Sequence, residues 1–251
     1  MFRYFIYLSY NGAAYCGWQV QPNGVTVQER LTWALQAVLR MPELKITGAG
    51  RTDAGVHAKE MVAHFDLPCV IDDKDSICQK LNSCLPKDIA VQKICSVKSD
   101  AHARFSAIRR TYEYHIITEK NVFKNNIATK AVKPLDFEKM NSAAALLLHY
   151  QDFTSFSKLH TQTKNNNCKI TFARWQQSDT DEWVFCITAD RFLRNMVRAI
   201  VGTLLEVGRG KISIEKLGQI TEQKNRALAG TSAPAEGLFL TKIEYDKDIF
   251  I

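Results

Sequence analysis

Gly48-Ala49-Gly50-Arg51-Thr52-Asp53-Ala54-Gly55-Val56-His57-Ala58 is the most informative stretch of this chain. Three glycines around an Arg-Thr-Asp centre suit neither a helix nor a central strand, because glycine loses more backbone freedom on folding than any other residue. The run therefore reads as a loop whose glycines let the chain approach something closely. Asp53 is its only carboxylate and stands two residues from the cation of Arg51. A carboxylate near a fixed positive charge stays ionised, which suits a nucleophile or base and not a proton donor. A tight turn with a local Arg–Asp contact explains the same spacing, since surface ion pairs are common and worth little.

The flanking segments alternate strand and helix patterns. Phe2–Tyr10 is rich in aromatic and aliphatic residues and reads as a strand, closed by the turn dipeptide Asn11-Gly12. Thr26-Val27-Gln28-Glu29 is a capping box, and Val27, Leu31, Ala34, Leu35, Val38 and Leu39 recur on one face, so a helix is expected over Val27–Arg40. After the glycine loop come a strand at Met61–Leu67, a helix at Lys74–Cys84 and a strand at Ile89–Val97. A second half opens with a strand at Thr111–Thr118. Lys120–Lys133 has no period and reads as an exposed loop, and a helix covers Phe137–Tyr150. Ser157–Asn167 is polar and reads as loop. Strands at Lys169–Gln176 and Trp183–Ala189 form a hairpin through Ser178–Asp181. A helix runs over Phe192–Val207 and stops at Gly208-Arg209-Gly210, where glycine supplies a left-handed cap. A helix at Ile214–Gln223 and a strand at Leu238–Tyr245 complete the chain. This is an α+β protein of two similar halves, residues 1–104 and 105–251, each mixing strands with one-faced helices.

Composition bounds the function. The chain has 251 residues, 46% hydrophobic and 24% charged, ordinary for a globular protein with a substantial core. Phe2-Arg3-Tyr4-Phe5 reads as a strand and not as a charged-then-apolar leader. No apolar run approaches the roughly 18 residues needed to span a bilayer. Seven cysteines without a Cys-x-x-Cys pair argue for reduced thiols and against a disulfide framework or zinc knuckle. The net charge is +7, and it is uneven: residues 1–100 hold 11 Lys and Arg against 10 Asp and Glu, and residues 101–251 hold 22 against 16. Excess positive charge attracts a polyanion through counterion release, although a solvated basic surface without a partner has the same composition.

Two further constellations carry chemistry. His102-Ala103-Arg104-Phe105-Ser106-Ala107-Ile108-Arg109-Arg110-Thr111-Tyr112-Glu113-Tyr114 interleaves cations with rings. A surface binding phosphates and unstacked bases needs that mixture, and an ordinary edge strand can carry it too. In Arg191-Phe192-Leu193-Arg194-Asn195-Met196-Val197-Arg198, helical spacing puts Arg191, Arg194 and Arg198 on one face beside an apolar stripe. A core helix with a solvated basic edge reads identically. Asp53, His57 and His64 fit no metal-ligand spacing, and neither a nucleophile elbow nor a phosphate-binding Gly-Lys-Ser/Thr loop occurs.

Taken together these motifs carry a resemblance. Gly-Arg-Thr-Asp-Ala-Gly-Val-His-Ala at 50–58 is similar to the signature of the tRNA pseudouridine synthase A family, whose Asp is the catalytic carboxylate. His-Ala-Arg-Phe-Ser-Ala followed by a basic run and Tyr-x-Tyr resembles the family's second motif. Phe-x-Arg-x-Met-Val-Arg at 192–198 resembles its third. Smaller matches at Gly17-Trp18-Gln19, Val27-Gln28-Glu29, Asp152–Phe156 and Ala235–Leu238 extend the resemblance over essentially the whole chain. The family usually has Asp where Asn11 stands, a difference that touches a turn and not the chemistry.

The resemblance implies a pseudouridine-synthase-like fold, two α/β halves with a mixed or antiparallel sheet flanked by helices. It implies isomerisation of uridine to pseudouridine at positions 38, 39 and 40 of the tRNA anticodon stem-loop, with no metal and no cofactor, since substrate and product contain the same atoms. Asp53 would be the nucleophile or base, with Arg194 pairing to it, Tyr112 packing against the target uridine and Arg51 as a possible second cation. A cytoplasmic homodimer sharing the tRNA is also implied, with no membrane association. A glycoside hydrolase would want two carboxylates flanking the bond, and the loop offers one. A tRNA-binding protein without activity and a uracil-removing hydrolase are the rivals; free uracil among the products would mark the second.

Overall fold

The computed structural model describes residues 1–131, 134–158 and 165–251. In chain order the elements are β1 (Phe2–Tyr10), α1 (Val27–Leu39), β2 (Thr47–Gly48), β3 (His57–Leu67), α2 (Lys74–Cys84), β4 (Ile89–Val97), β5 (Ala107–Ile117), β6 (Thr129–Lys130), α3 (Phe137–Leu146), β7 (Ile170–Asp179), β8 (Glu182–Ala189), α4 (Met196–Gly208), α5 (Ile214–Glu222) and β9 (Leu238–Tyr245). Strands and helices are interspersed, and the strand pairings are mixed, so the α+β expectation holds. The chain divides into two compact units, residues 1–108 with 240–251, and residues 109–239.

In the first unit the neighbouring strands run β4-β1-β3-β9. β1 is antiparallel to both β3 and β4, with Phe5 opposite His64 on one side and Cys95 on the other. Tyr4 to Leu8 and Met61 to Phe65 are all buried, so these central strands are covered on both faces. α2 packs on β4 and α1 on α2. α1 begins with the expected capping box: Thr26 Oγ1 accepts from the Glu29 amide, and the Glu29 carboxylate accepts from the Thr26 amide. Such a cap stabilises a helix by about 1 kcal/mol. The helix ends one residue before Arg40, which takes the left-handed conformation at φ 54°. Arg3 grips Asp66 with two 2.8 Å bonds, and this partner holds the Asp66 carboxyl below its ordinary pKa.

In the second unit the strand order is β5-β8-β7, antiparallel, with β6 added parallel to the end of β5. α3 packs on β7, α4 and α5. Eleven of the 13 residues of α4 are buried, so this is a core helix enclosed on nearly all sides. Phe137 lies flat on Trp183 with ring centroids 3.7 Å apart. The expected hairpin at 178–181 is present, its turn at Thr180-Asp181.

Several boundaries differ from the sequence reading. β3 starts at His57, four residues early, and β5 at Ala107. The helix expected over Phe137–Tyr150 tightens into a 3-10 turn at Leu147–His149. The segment expected as a loop at Lys120–Lys133 contains a 3-10 turn at Val122–Lys124 and β6, with 132 and 133 outside the described residues. Of the loop expected at Ser157–Asn167, residues 159–164 lie outside the described residues.

Candidate active site

The glycine loop occupies residues 49–56, between β2 and β3 in the first unit. Its backbone is fixed by the segment that follows β1. The Trp18 amide donates to the Thr52 carbonyl at 3.2 Å, and the Gly55 amide donates to the Tyr15 carbonyl at 3.3 Å. The carbonyls of Gly17 and Trp18 in turn accept from the Val27 and Gln28 amides, which satisfies two of the donors that any helix start leaves open. One short segment thus ties the loop to α1.

The close approach inferred from the glycines of this run is made by Gly48, where a Cβ would fall 2.3 Å from the Trp18 indole nitrogen, and by two glycines outside the run. A Cβ on Gly17, which sits at φ +87°, would meet the Thr52 carbonyl oxygen at 2.4 Å. One on Gly12 would lie 2.0 Å from the Val56 carbonyl oxygen. Within the loop, Gly55 takes a positive φ of 77°, whereas a Cβ on Gly50 would meet nothing within 4 Å.

Side chains complete the clamp. The Tyr10 hydroxyl and Thr52 Oγ1 are 2.9 Å apart in a buried pair, one residue before Asp53. His57, buried, accepts the Gly12 amide on Nδ1 at 3.0 Å, so the neutral ring carries its proton on Nε2. The Val56 amide donates to the Asp53 carbonyl at 3.2 Å. Asp53 is half-buried and Arg51 exposed. None of Tyr10, Gly12, Thr52 or His57 was singled out as functional from sequence. Only the Asn11-Gly12 turn signal and the match at Gly17-Trp18-Gln19 pointed at the partner segment.

Tyr112 and Arg194 belong to the second unit. Tyr112 sits on β5 opposite Ile187 of β8, half-buried, and its ring meets that of Phe192 edge-on with centroids 5.1 Å apart. Two residues along the same strand, Tyr114 is buried, its hydroxyl 2.8 Å from Thr129 Oγ1 and donating to the Pro234 carbonyl. Burial pushes the Tyr114 phenol above its ordinary pKa. Of the two tyrosines, then, Tyr114 is a structural anchor and Tyr112 retains exposure.

Arg194 is not on a helix, contrary to the periodicity. α4 begins at Met196, and residues 190–195 form an irregular lead-in with Asn195 left-handed at φ 66°. Arg191, Arg194 and Arg198 therefore share no helical face. Asn195 makes no capping bond to the helix; its Nδ2 donates to Ser232 Oγ at 2.6 Å, and Ser232 Oγ also accepts from Arg226 at 2.9 Å. Arg198 Nε donates to the Ala233 carbonyl at 2.7 Å. The 226–234 segment lies directly on α4, because a Cβ on Gly202 would fall 1.8 Å from the Thr231 carbonyl oxygen. Arg194 itself is exposed, and its carbonyl accepts the Lys158 amide at 3.1 Å. The contact between Tyr112 and Phe192 brings Tyr112 against the lead-in that carries Arg194.

Among the described residues, no group of three or more His, Cys, Asp or Glu is placed to hold a metal, and no helix is long and apolar enough to cross a membrane.

A family model described as tRNA pseudouridine synthase matches residues 6–106 and 143–246. The chain is 59% identical over 248 residues to the tRNA pseudouridine synthase A of Bacteroides fragilis, covering 99% of this chain and 98% of that protein. It is 54% identical to the protein of the same name from Porphyromonas gingivalis, with both chains covered completely. A more distant relative of that name, from Limosilactobacillus reuteri, is 39% identical over 98% of this chain and 97% of its own. The matched family model takes in both the Asp53 loop and the Arg194 lead-in, and the relatives align from end to end: the chain belongs to the tRNA pseudouridine synthase family.

Proposed function

We propose that this chain performs its family's reaction, isomerising uridine to pseudouridine in tRNA, at positions 38, 39 and 40 of the anticodon stem-loop. The bond from ribose C1′ to uracil N1 breaks, the base turns while held, and C1′ joins C5; the C5 hydrogen leaves as a proton and N1 takes one up. No atoms are gained or lost beyond that exchange, so neither cofactor nor energy source is needed. Asp53 acts on the sugar or the base as nucleophile or base. As the family resemblance implies, Arg194 pairs with the carboxylate and orients it, with Arg51 as a second cation. The target uridine leaves its stack at a cost of a few kcal/mol, and the ring of Tyr112 receives it.

The observation that carries this reading is the fixing of the Asp53 loop. A solvated turn needs no buried Tyr–Thr pair beneath it and no two glycines of another segment against its carbonyls. A reacting carboxylate does, because a small misplacement costs rate steeply. Residues 1–104 supply the carboxylate and 105–251 the tyrosine and arginine. Reaching an anticodon stem while gripping the body of the tRNA calls for a long basic surface, which a cytoplasmic homodimer of this +7 chain provides.

Tritium release from tRNA labelled at uridine C5 tests the reaction, with Asp53→Asn beside wild type. Release from wild type, reduced by at least about 10³-fold in Asp53→Asn, is the expected result. Equal release from both removes Asp53 from the chemistry. No release from either, with tRNA still bound, leaves a binding protein.

A further inference from the structure

The turn at His102–Ser106, in the first unit, has no part in the site described above, and it presents an aromatic ring to solvent. Phe105 is 75% exposed. Its ring rests on His102, centroids 4.4 Å apart, and the His102 ring meets His64 edge-on at 4.6 Å. The Arg104 guanidinium lies 5.6 Å from the Phe105 ring centre.

The backbone beneath that ring is well satisfied. His102 Nδ1 accepts the amides of both Arg104 and Phe105, at 3.1 and 3.3 Å. Ser106 Oγ accepts the His102 amide, and the Ser106 amide donates to the His102 carbonyl, both at 2.9 Å. Ala103, buried at the centre of the turn, donates its amide to His64 Nδ1 and accepts the Tyr245 hydroxyl on its carbonyl at 2.6 Å. A single exposed apolar side chain is ordinary. Phe105 differs from Phe123, which is 88% exposed on a 3-10 turn held by the side chain of Asn121. Phe123 has no such ring support among the described residues. Phe105 is a ring held at a fixed place by a second ring, with a cation beside it.

We propose that Phe105 is a stacking platform for an unpaired base of the tRNA, with Arg104 beside it for an adjoining phosphate. This rests on tRNA being the substrate and adds a contact outside the reacting groups. Base–aromatic stacking accepts any base, because every base has a π-face, so the platform holds the RNA in register without reading its sequence. Folding has already ordered the ring, so binding a base here immobilises little of the protein.

The test uses tRNA transcripts carrying 2-aminopurine at one unpaired position each, whose fluorescence falls when the base stacks, alongside tritium release from C5-labelled tRNA. Wild type is expected to quench one position. Phe105→Ala should lose that quench and raise KM about tenfold, with kcat within about twofold and the melting temperature unchanged. Phe105→Tyr should keep both the quench and KM. The proposal is overturned if Phe105→Ala keeps the wild-type quench and KM, or if Phe105→Tyr loses as much as Phe105→Ala. Quenching by wild type without tritium release would sink the isomerase reading and leave the platform standing. Tritium release without quenching at any unpaired position would sink the platform alone.

Discussion

The Asp53 loop and the Arg194 lead-in are fixed in different ways. The loop is held through backbone: carbonyls of Thr52 and Val56 lie where only glycine fits opposite, and amides of Trp18 and Gly55 close the contact. The lead-in is held through side chains, Asn195 to Ser232 and Ser232 to Arg226, where a core helix begins. A half-buried carboxylate with a short side chain can be placed only by placing its backbone. An exposed arginine has a long side chain, and it is enough to set the direction from which that chain departs. Rigidity is spent where the reach is shortest.

Glycine substitutions should separate the two most sharply. Gly202→Ala puts a methyl carbon 1.8 Å from a backbone oxygen in the middle of a core helix, and should cost about 3 kcal/mol or more of stability, read by denaturant unfolding. Gly17→Ala adds strain at φ +87° to a clash with the Thr52 oxygen. We expect a loss of about 2–3 kcal/mol together with a fall in kcat, because the displaced residue adjoins Asp53. Gly50→Ala, with open space around it, is the control and should change stability by less than about 0.5 kcal/mol. If Gly50→Ala matched Gly17→Ala, the backbone account of the loop would be wrong.

Asn195 tests the other side of the comparison. Asn195→Ala removes both the tolerance of the left-handed conformation and the bond to Ser232, and should lose about 1–2 kcal/mol and lower kcat/KM. Asn195→Gly keeps the conformation and should recover about half of the stability loss. Full recovery would mean that the side-chain network is idle.

Tyr10→Phe is a smaller perturbation. It deletes one hydroxyl of the buried pair and leaves Thr52 to find another partner, an effect of about 1 kcal/mol on stability. A severalfold drop in kcat at unchanged KM is expected. A change in KM alone would place Tyr10 in RNA binding and not in positioning the loop.

The last prediction concerns acid, and at neutral pH its effect vanishes. Burial, with His102 next in importance, pushes His64 down to about 4. A depressed imidazole pKa means that the folded state holds fewer protons than the unfolded chain between about 6.5 and 4. The associated stability is therefore complete above pH 6.5 and is lost as pH falls towards 4. The melting temperature should decline over that window, and less steeply in His64→Asn, which has no ring to protonate. His64 supports Ala103 and His102, so the acid response belongs to the first unit and should leave that of Asn195→Ala parallel to wild type.

Much of the fold was legible where the signal was local. α2, β4 and β9 have the boundaries that periodicity and turn residues indicated, and the capping box at Thr26 starts α1. β3 was legible only in part: Met61–Leu67 reads as strand, whereas its first residues, from His57, continue directly from the glycine-rich run, whose composition signals loop. The lead-in at 192–195 reads as helix in the sequence because its apolar spacing continues that of α4. Asn195 interrupts it with a left-handed turn that asparagine tolerates better than most residues, a weak signal in sequence. Of the candidate site, the identity of Asp53, Tyr112 and Arg194 came from motifs. The parts that fix the loop did not, since nothing local shows that Gly12 and Gly17 face carbonyls some 40 residues onward. The return of residues 240–251 to the first unit is equally non-local.

One consequence of the clamped loop concerns entropy. With Thr52 held at both its carbonyl and its hydroxyl, and the Asp53 carbonyl engaged by Val56, the carboxylate keeps little more than its own two side-chain torsions. Ordering a flexible loop residue costs about 1–2 kcal/mol of backbone entropy. Here that cost is met during folding, once; under the proposed function, RNA would have no loop to immobilise, and more of its binding energy would remain to unstack the target base.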